Sequence, residues 1–163
     1  ATFIWWDLRI SARYPTLETR IADICTRLDD AAALAALTQC ILHYLYRMQC
    51  DGVKVPVHSR FLVDQNRWRA MRYGYDEGLV DFNTAEVVPV SELLADILDK
   101  VSRDADELGC SRELEHVLEI PVNGSSAHRQ LAIYHAALGE GLEPASALQR
   151  VVDWLVDETV SNL

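Results

Sequence analysis

The chain has 163 residues, half of them apolar, with 25% charged and 8% aromatic side chains. That is one domain's length, enough to bury about 70% of the unfolded surface, and too apolar for a disordered chain. A net charge of −10 excludes a nucleic-acid binder, which carries a basic footprint. The longest strongly apolar run, Ala31 to Leu37, is too short to span a bilayer, and no basic segment precedes an apolar one as in a signal peptide.

Thr2 to Trp6 reads as a hydrophobic strand with no polar lead-in. Chain ends are ordinarily polar and frayed, so this start is expected to be a cut within a longer protein. Thr16 to Asp23, rich in β-branched residues after Tyr14-Pro15, reads as a second strand. Side chains alternate along a strand, so Glu18 and Arg20 share one face. Leu17, Thr19 and Ile21 share the other, the expected core side.

Asp29-Asp30 opens a helix whose Leu34, Leu37, Ile41, Leu45 and Met48 follow the helical period. Alanines, Leu42, Tyr44 and Tyr46 fill its other faces, so it is expected to be buried; Asp51-Gly52 stops it. Ser59 starts a helix running to Tyr73, with Gly74 ending it. Leu79–Phe82 and Glu86–Val88 flank Asn83-Thr84 as a small hairpin. Ser91 is expected to cap a helix stopping near Gly109, Ser111 another stopping at Asn123-Gly124, and Ser126 a third ending near Gly139–Gly141. Pro144 opens the last helix, with Leu148, Val151, Val152, Leu155, Val156 and Val160 on one stripe.

Charge divides the chain. Residues 1–82 hold 10 basic and 10 acidic side chains, and residues 83–163 hold 5 and 15. Nine of the 13 arginines lie in the first part, which reads as machinery; the second reads as a solvated helical shell. Cys25, Cys40, Cys50 and Cys110 form no CxxC pair and suit reduced thiols in a cytoplasm. Cys40 and His43 form a lone CxxH in an apolar helix, which reads as core packing. The five histidines show no paired ligand spacing, with surface placement expected for His128 and His135. No glycine-rich phosphate loop is present.

Three constellations carry chemistry. Glu18 and Arg20 project about 7 Å apart in one direction, able to hold a divalent metal and a phosphoryl oxygen, or simply to form an exposed salt bridge. Trp5, Asp7 and Arg9 share one face of the first strand, and Arg9 beside Arg20 would make a cationic patch, as against an Asp7–Arg9 surface pair. Asn66, Arg67 and Arg72 lie on the arginine-rich helix. They either face a nucleotide or carboxylate, which the guanidinium fork suits, or take part in surface pairs such as Asp64 with Arg60.

Together the runs Trp5-Trp6-Asp7-Leu8-Arg9-x-Ser11, Thr16-Leu17-Glu18-x-Arg20-x-x-Asp23 and Asn66-Arg67-Trp68-x-Ala70-x-Arg72-Tyr73-Gly74 resemble the bacterial type 2 glutamate–cysteine ligases, or carboxylate–amine ligases. The hairpin with Pro89 before an acidic helix and the closing Val151-Val152-Asp153-Trp154-Leu155 are similar too. The resemblance implies an α+β, predominantly helical chain. It would be the C-terminal part (1–163) of a single glutamine-synthetase-like catalytic domain, with few antiparallel strands, a small hairpin and about six helices. It implies an ATP-dependent ligase that phosphorylates the γ-carboxylate of glutamate, after which cysteine or another amine attacks the acyl phosphate. Glu18 would bind magnesium, Arg20 would stabilise the transferring phosphoryl group, and Arg9, Asn66, Arg67 and Arg72 would face ATP or substrate. The family's opening Gly-Val-Glu-x-Glu strand has no counterpart here, and Ile10 replaces a family proline. The missing N-terminal part is therefore an expected partner, and this chain alone is expected to be inactive. Self-association is compatible with the sequence. A different class of function, a non-catalytic helical module for association or partner binding, is the other reading.

Overall fold

The computed structural model describes residues 6–161, so of the strand expected over Thr2–Trp6 the part from Thr2 to Trp5 lies outside the described residues, while Trp6 precedes the first strand. The described chain is α+β and mostly helical, as expected. It opens with β1 (Leu8–Ile10) and β2 (Leu17–Thr19), followed by the long α1 (Leu28–Cys50) and α2 (Arg60–Tyr73). The two-residue strands β3 (Leu79–Val80) and β4 (Val87–Val88) come next, then α3 (Val90–Leu108). A broken segment follows: α4 (Ser111–Glu115), a 3₁₀ turn (His116–Leu118) and α5 (Glu119–Asn123). The chain closes with α6 (Ser126–Gly139) and α7 (Pro144–Val160). The strands form two separate antiparallel hairpins, β1–β2 and β3–β4.

The core lies where α1 meets α3, α4 and the 3₁₀ turn. Ala33 and Cys40 from α1 meet Val101 and Ala105 from α3, with Leu114 and Val117 beyond. Residues 33, 37, 40 and 44 on α1, and 94, 98, 101, 105 and 108 on α3, alternate steps of three and four, so each helix turns one seam to the other. Small residues at the centre let the backbones approach. Four of the six core residues come from the acidic part of the chain, which is thus structural core as well as cover. α1 is less enclosed than its all-round apolarity suggests: only Ala33, Ala36 and Cys40 are buried, and Tyr46 is exposed.

Other differences have local causes. The helix expected from Ser111 to Asn123 breaks into three because Pro121 lacks an N–H and its ring crowds the carbonyl four residues back, at Val117 in the 3₁₀ turn. Three helices start earlier than the serines suggested, by two residues after Pro89 and by one after Cys110 and Ser125. On α7 the expected stripe divides: Val151 packs inward, while Leu148, Val152, Val156 and Val160 face outward.

The α6–α7 hairpin is fastened to the start of α1 by charge. Arg129 pairs with Glu158 at 2.8 Å and with Asp30 at 3.3 Å, and His116 reaches Asp30 at 2.9 Å. The first hairpin is the sharpest reversal of expectation. Leu17, Thr19 and Ile21, placed on the core side by pattern, are exposed in this chain, as are Leu8 and Ile10, and the polar face of Arg9, Glu18 and Arg20 is the more covered one.

Candidate functional site

Antiparallel pairing sets Arg9 directly opposite Glu18. Glu18 thereby sits between two guanidinium groups. Arg9 Nε donates to Oε2 at 2.9 Å, with Arg9 Nη2 closing on the same oxygen, and Arg20 Nη1 donates to Oε1 at 2.6 Å. The hydrogen bond from Arg9, with the charges of both arginines, holds the Glu18 carboxyl below its ordinary range despite partial desolvation. Two guanidinium groups flank one carboxylate on a face that is only partly covered. Glu18 fixes the two forks in place, and a guanidinium fork suits a phosphoryl or carboxylate oxygen.

The same geometry bears on magnesium. Both Glu18 oxygens are engaged by arginine, and among the described residues no three His, Cys, Asp or Glu side chains are grouped to hold a metal. These residues do not fit a magnesium ion by themselves.

The α2 residues divide. Asn66 uses its amide on the small hairpin: Val80 N–H donates to Oδ1 at 2.7 Å and Nδ2 donates to the Val80 carbonyl at 2.8 Å. Arg69, which the motifs left aside, caps the same turn by donating to the Gly78 carbonyl at 3.0 Å. Gly78 has φ +67°, and a Cβ there would stand 2.3 Å from the Val88 carbonyl oxygen, so the turn requires glycine. Arg67 pairs with Asp7 at 2.8 Å and ties α2 to the first hairpin, in place of an Asp7–Arg9 pair. Arg72 lies over the Tyr73 ring at 5.5 Å. Arg67 and Arg72 both line a cavity of about 740 Å³ that also reaches Ile21 and Asp23, just beyond β2. Arg9, Glu18 and Arg20 thus form one cluster, Arg67 and Arg72 line the neighbouring cavity, and Asn66 is a brace for α2. The Arg60–Asp64 surface pair forms at 3.5 Å.

Sequence reasoning passed over two groupings. Asp104 is completely buried, with His43 Nδ1 at 2.7 Å and Arg47 in a two-pronged contact at 2.8 and 3.1 Å. Arg47 first, then His43, hold its carboxyl below the usual range against desolvation. The signal was a lone aspartate on the apolar seam of α3, three residues past Val101. The CxxH on α1 is core, as expected. Burial and the Cys110 thiol 3.5 Å away push the Cys40 thiol up to about 12, leaving no thiolate nucleophile there at neutral pH. The second grouping, around His128, joins residues some fifty positions apart.

A family model described as glutamate–cysteine ligase family 2 matches residues 1–152. Curated relatives provisionally named glutamate–cysteine ligase 2 align along nearly the whole chain. The protein from Rhodospirillum rubrum is 47% identical over 163 residues, 100% of this chain and 42% of its own length. The one from Paracoccus denitrificans is 42% identical, covering 97% of this chain and 42% of its own length. The one from Solibacter usitatus is 38% identical, covering 98% and 40%. The chain therefore spans about two fifths of the length of the curated relatives it matches.

Proposed function

The chain belongs to glutamate–cysteine ligase family 2, and from that premise we propose that the whole protein is an ATP-dependent ligase. It joins the γ-carboxylate of glutamate to cysteine or another amine. ATP's terminal phosphoryl group passes to the carboxylate, ADP leaves, the amine nitrogen attacks the acyl carbon, and phosphate departs. Phosphoryl transfer asks a protein mainly for positioning and for charge complementary to the oxygens in motion.

The observation that supports this reading is the Arg9–Glu18–Arg20 cluster, in which one carboxylate holds two guanidinium forks at a fixed spacing. Arg20 stabilises the transferring phosphoryl group and Arg9 takes a neighbouring oxygen. Glu18 is a positioning residue that orients both. With both oxygens engaged by arginine, Glu18 holds the forks rather than a metal. Arg67 and Arg72 contact substrate from the adjoining cavity, while Asn66 positions their helix. Four unbridged cysteines and ATP-dependent chemistry suit a cytoplasmic setting, and no helix among the described residues is long and apolar enough to cross a membrane.

The test is ADP release dependent on glutamate and cysteine, measured on the protein expressed from its complete reading frame. Turnover requiring both substrates is expected; a folded protein that releases no ADP with glutamate overturns the reading. The exposed apolar rows on β1–β2 and on α7 favour an association role as the second reading. Under it, a Glu18→Ala, Arg20→Ala double substitution leaves function intact.

A further inference from the structure

The cavity lined by Arg67 and Arg72 is closed on its far side by the turn after α2 and the start of α6, which bring Asp76, Ser125 and His128 to it. No other histidine lines this cavity. His43 and His116 are tied to Asp104 and Asp30, His58 lies against Phe82, and His135 lies against Tyr134.

The ring of His128 is held on three sides. Nδ1 lies 2.6 Å from Ser125 Oγ, and the Tyr75 ring stacks on it at 4.5 Å with planes 23° apart. The Tyr75 hydroxyl in turn accepts the Ser125 backbone N–H at 2.9 Å, which locks the three together. Nε2 lies 3.2 Å from each Asp76 oxygen, on a side where Asp76 is 61% exposed. With Nδ1–H donated to Ser125, Nε2 presents a lone pair beside a carboxylate. Two acceptors this close favour a donor carrying several hydrogens between them, and a primary ammonium is such a donor.

The proposed ligase needs that group. An amine enters at neutral pH as an ammonium, and its nitrogen has no lone pair until a proton leaves. We propose that His128 is the proton acceptor for the amine substrate, with Asp76 holding the ammonium against Nε2 and stabilising the imidazolium that forms. This assignment rests on the ligase reading. One N–H bond breaks, its electron pair stays on nitrogen, and the proton goes to Nε2. The nitrogen then bonds to the acyl carbon while the carbon–oxygen bond to phosphate breaks, and the phosphate leaves with that electron pair and the second proton from nitrogen.

In the other tautomer the ring donates to Asp76 and Ser125 donates to the ring, a purely structural arrangement. Two acceptors separate the cases. Cysteine brings an ammonium, whereas hydroxylamine is already neutral at pH 7 and has no such proton to lose. With saturating ATP and glutamate, the complete protein carrying His128→Gln should lose about 100-fold in kcat/KM for cysteine and less than about 3-fold for hydroxylamine. Equal loss with both acceptors, or no loss with cysteine, overturns the assignment while the wild type still turns over. A wild type that releases no ADP with glutamate and either acceptor overturns the ligase reading, and the assignment with it. If His128→Gln does not fold, Asp76→Asn, a change at an exposed turn, is read for the same split.

Discussion

Two clusters in this molecule share one plan and differ in depth. Each is a carboxylate between two nitrogen-bearing side chains: Glu18 between Arg9 and Arg20 on the first hairpin, and Asp104 between Arg47 and His43 where α3 meets α1. Glu18 is 42% exposed and Asp104 is wholly buried. Solvent does not reach the Asp104 carboxylate, so its charge is met by Arg47 and His43 inside the fold. At Glu18 solvent and ligands can enter, and the two guanidinium forks stand at a partly open face. Similar pairing is structural in one place and open to a ligand in the other, and burial of the carboxylate makes the difference.

The comparison breaks most readily at Asp104. Asp104→Ala leaves Arg47 and His43 without their carboxylate and should cost about 3–5 kcal/mol in urea unfolding. Because the folded carboxyl sits below its ordinary range, its contribution is fully present above the unfolded carboxylate range and is lost as pH falls through the folded value. The stability gap between wild type and Asp104→Asn should therefore narrow on acidification; a gap that widens contradicts the assignment. At the hairpin the pattern should invert. Glu18→Gln should leave the melting transition in place yet lower turnover about 100-fold, because the two forks lose their common anchor, with partial recovery in Glu18→Asp. Asn66→Ala is the smaller effect. It removes two hydrogen bonds to Val80 and should destabilise by about 1–3 kcal/mol, with KM for ATP and glutamate changing little. A large rise in either KM instead makes Asn66 a substrate contact.

The hairpin cluster was half legible in the sequence. Period-two alternation put Glu18 and Arg20 on one face, but only the register of β1 against β2 brings Arg9 to Glu18. Helix positions were legible from glycine stops and the 3.6-residue period. The starts slipped by one where paired polar residues such as Ser125-Ser126 compete for the cap. The outward apolar faces of β1–β2 and α7 were not legible, because pattern tells which residues are apolar and not what covers them. Asp104 was hidden in an acidic run with Asp99, Asp106 and Glu107, where one inward aspartate looks like its solvated neighbours. His128 was set aside as a surface residue because its partner Asp76 lies across the fold, and no local spacing encodes that contact.

The central claim is that the Arg9–Glu18–Arg20 cluster handles the transferred phosphoryl group. Its most direct test is the rate of glutamate- and cysteine-dependent ADP release by the complete protein carrying Arg20→Ala, taken beside its melting curve. The account predicts a loss of about 10²–10³-fold with the melting transition unchanged. Turnover near the wild-type rate from a folded Arg20→Ala protein would contradict it.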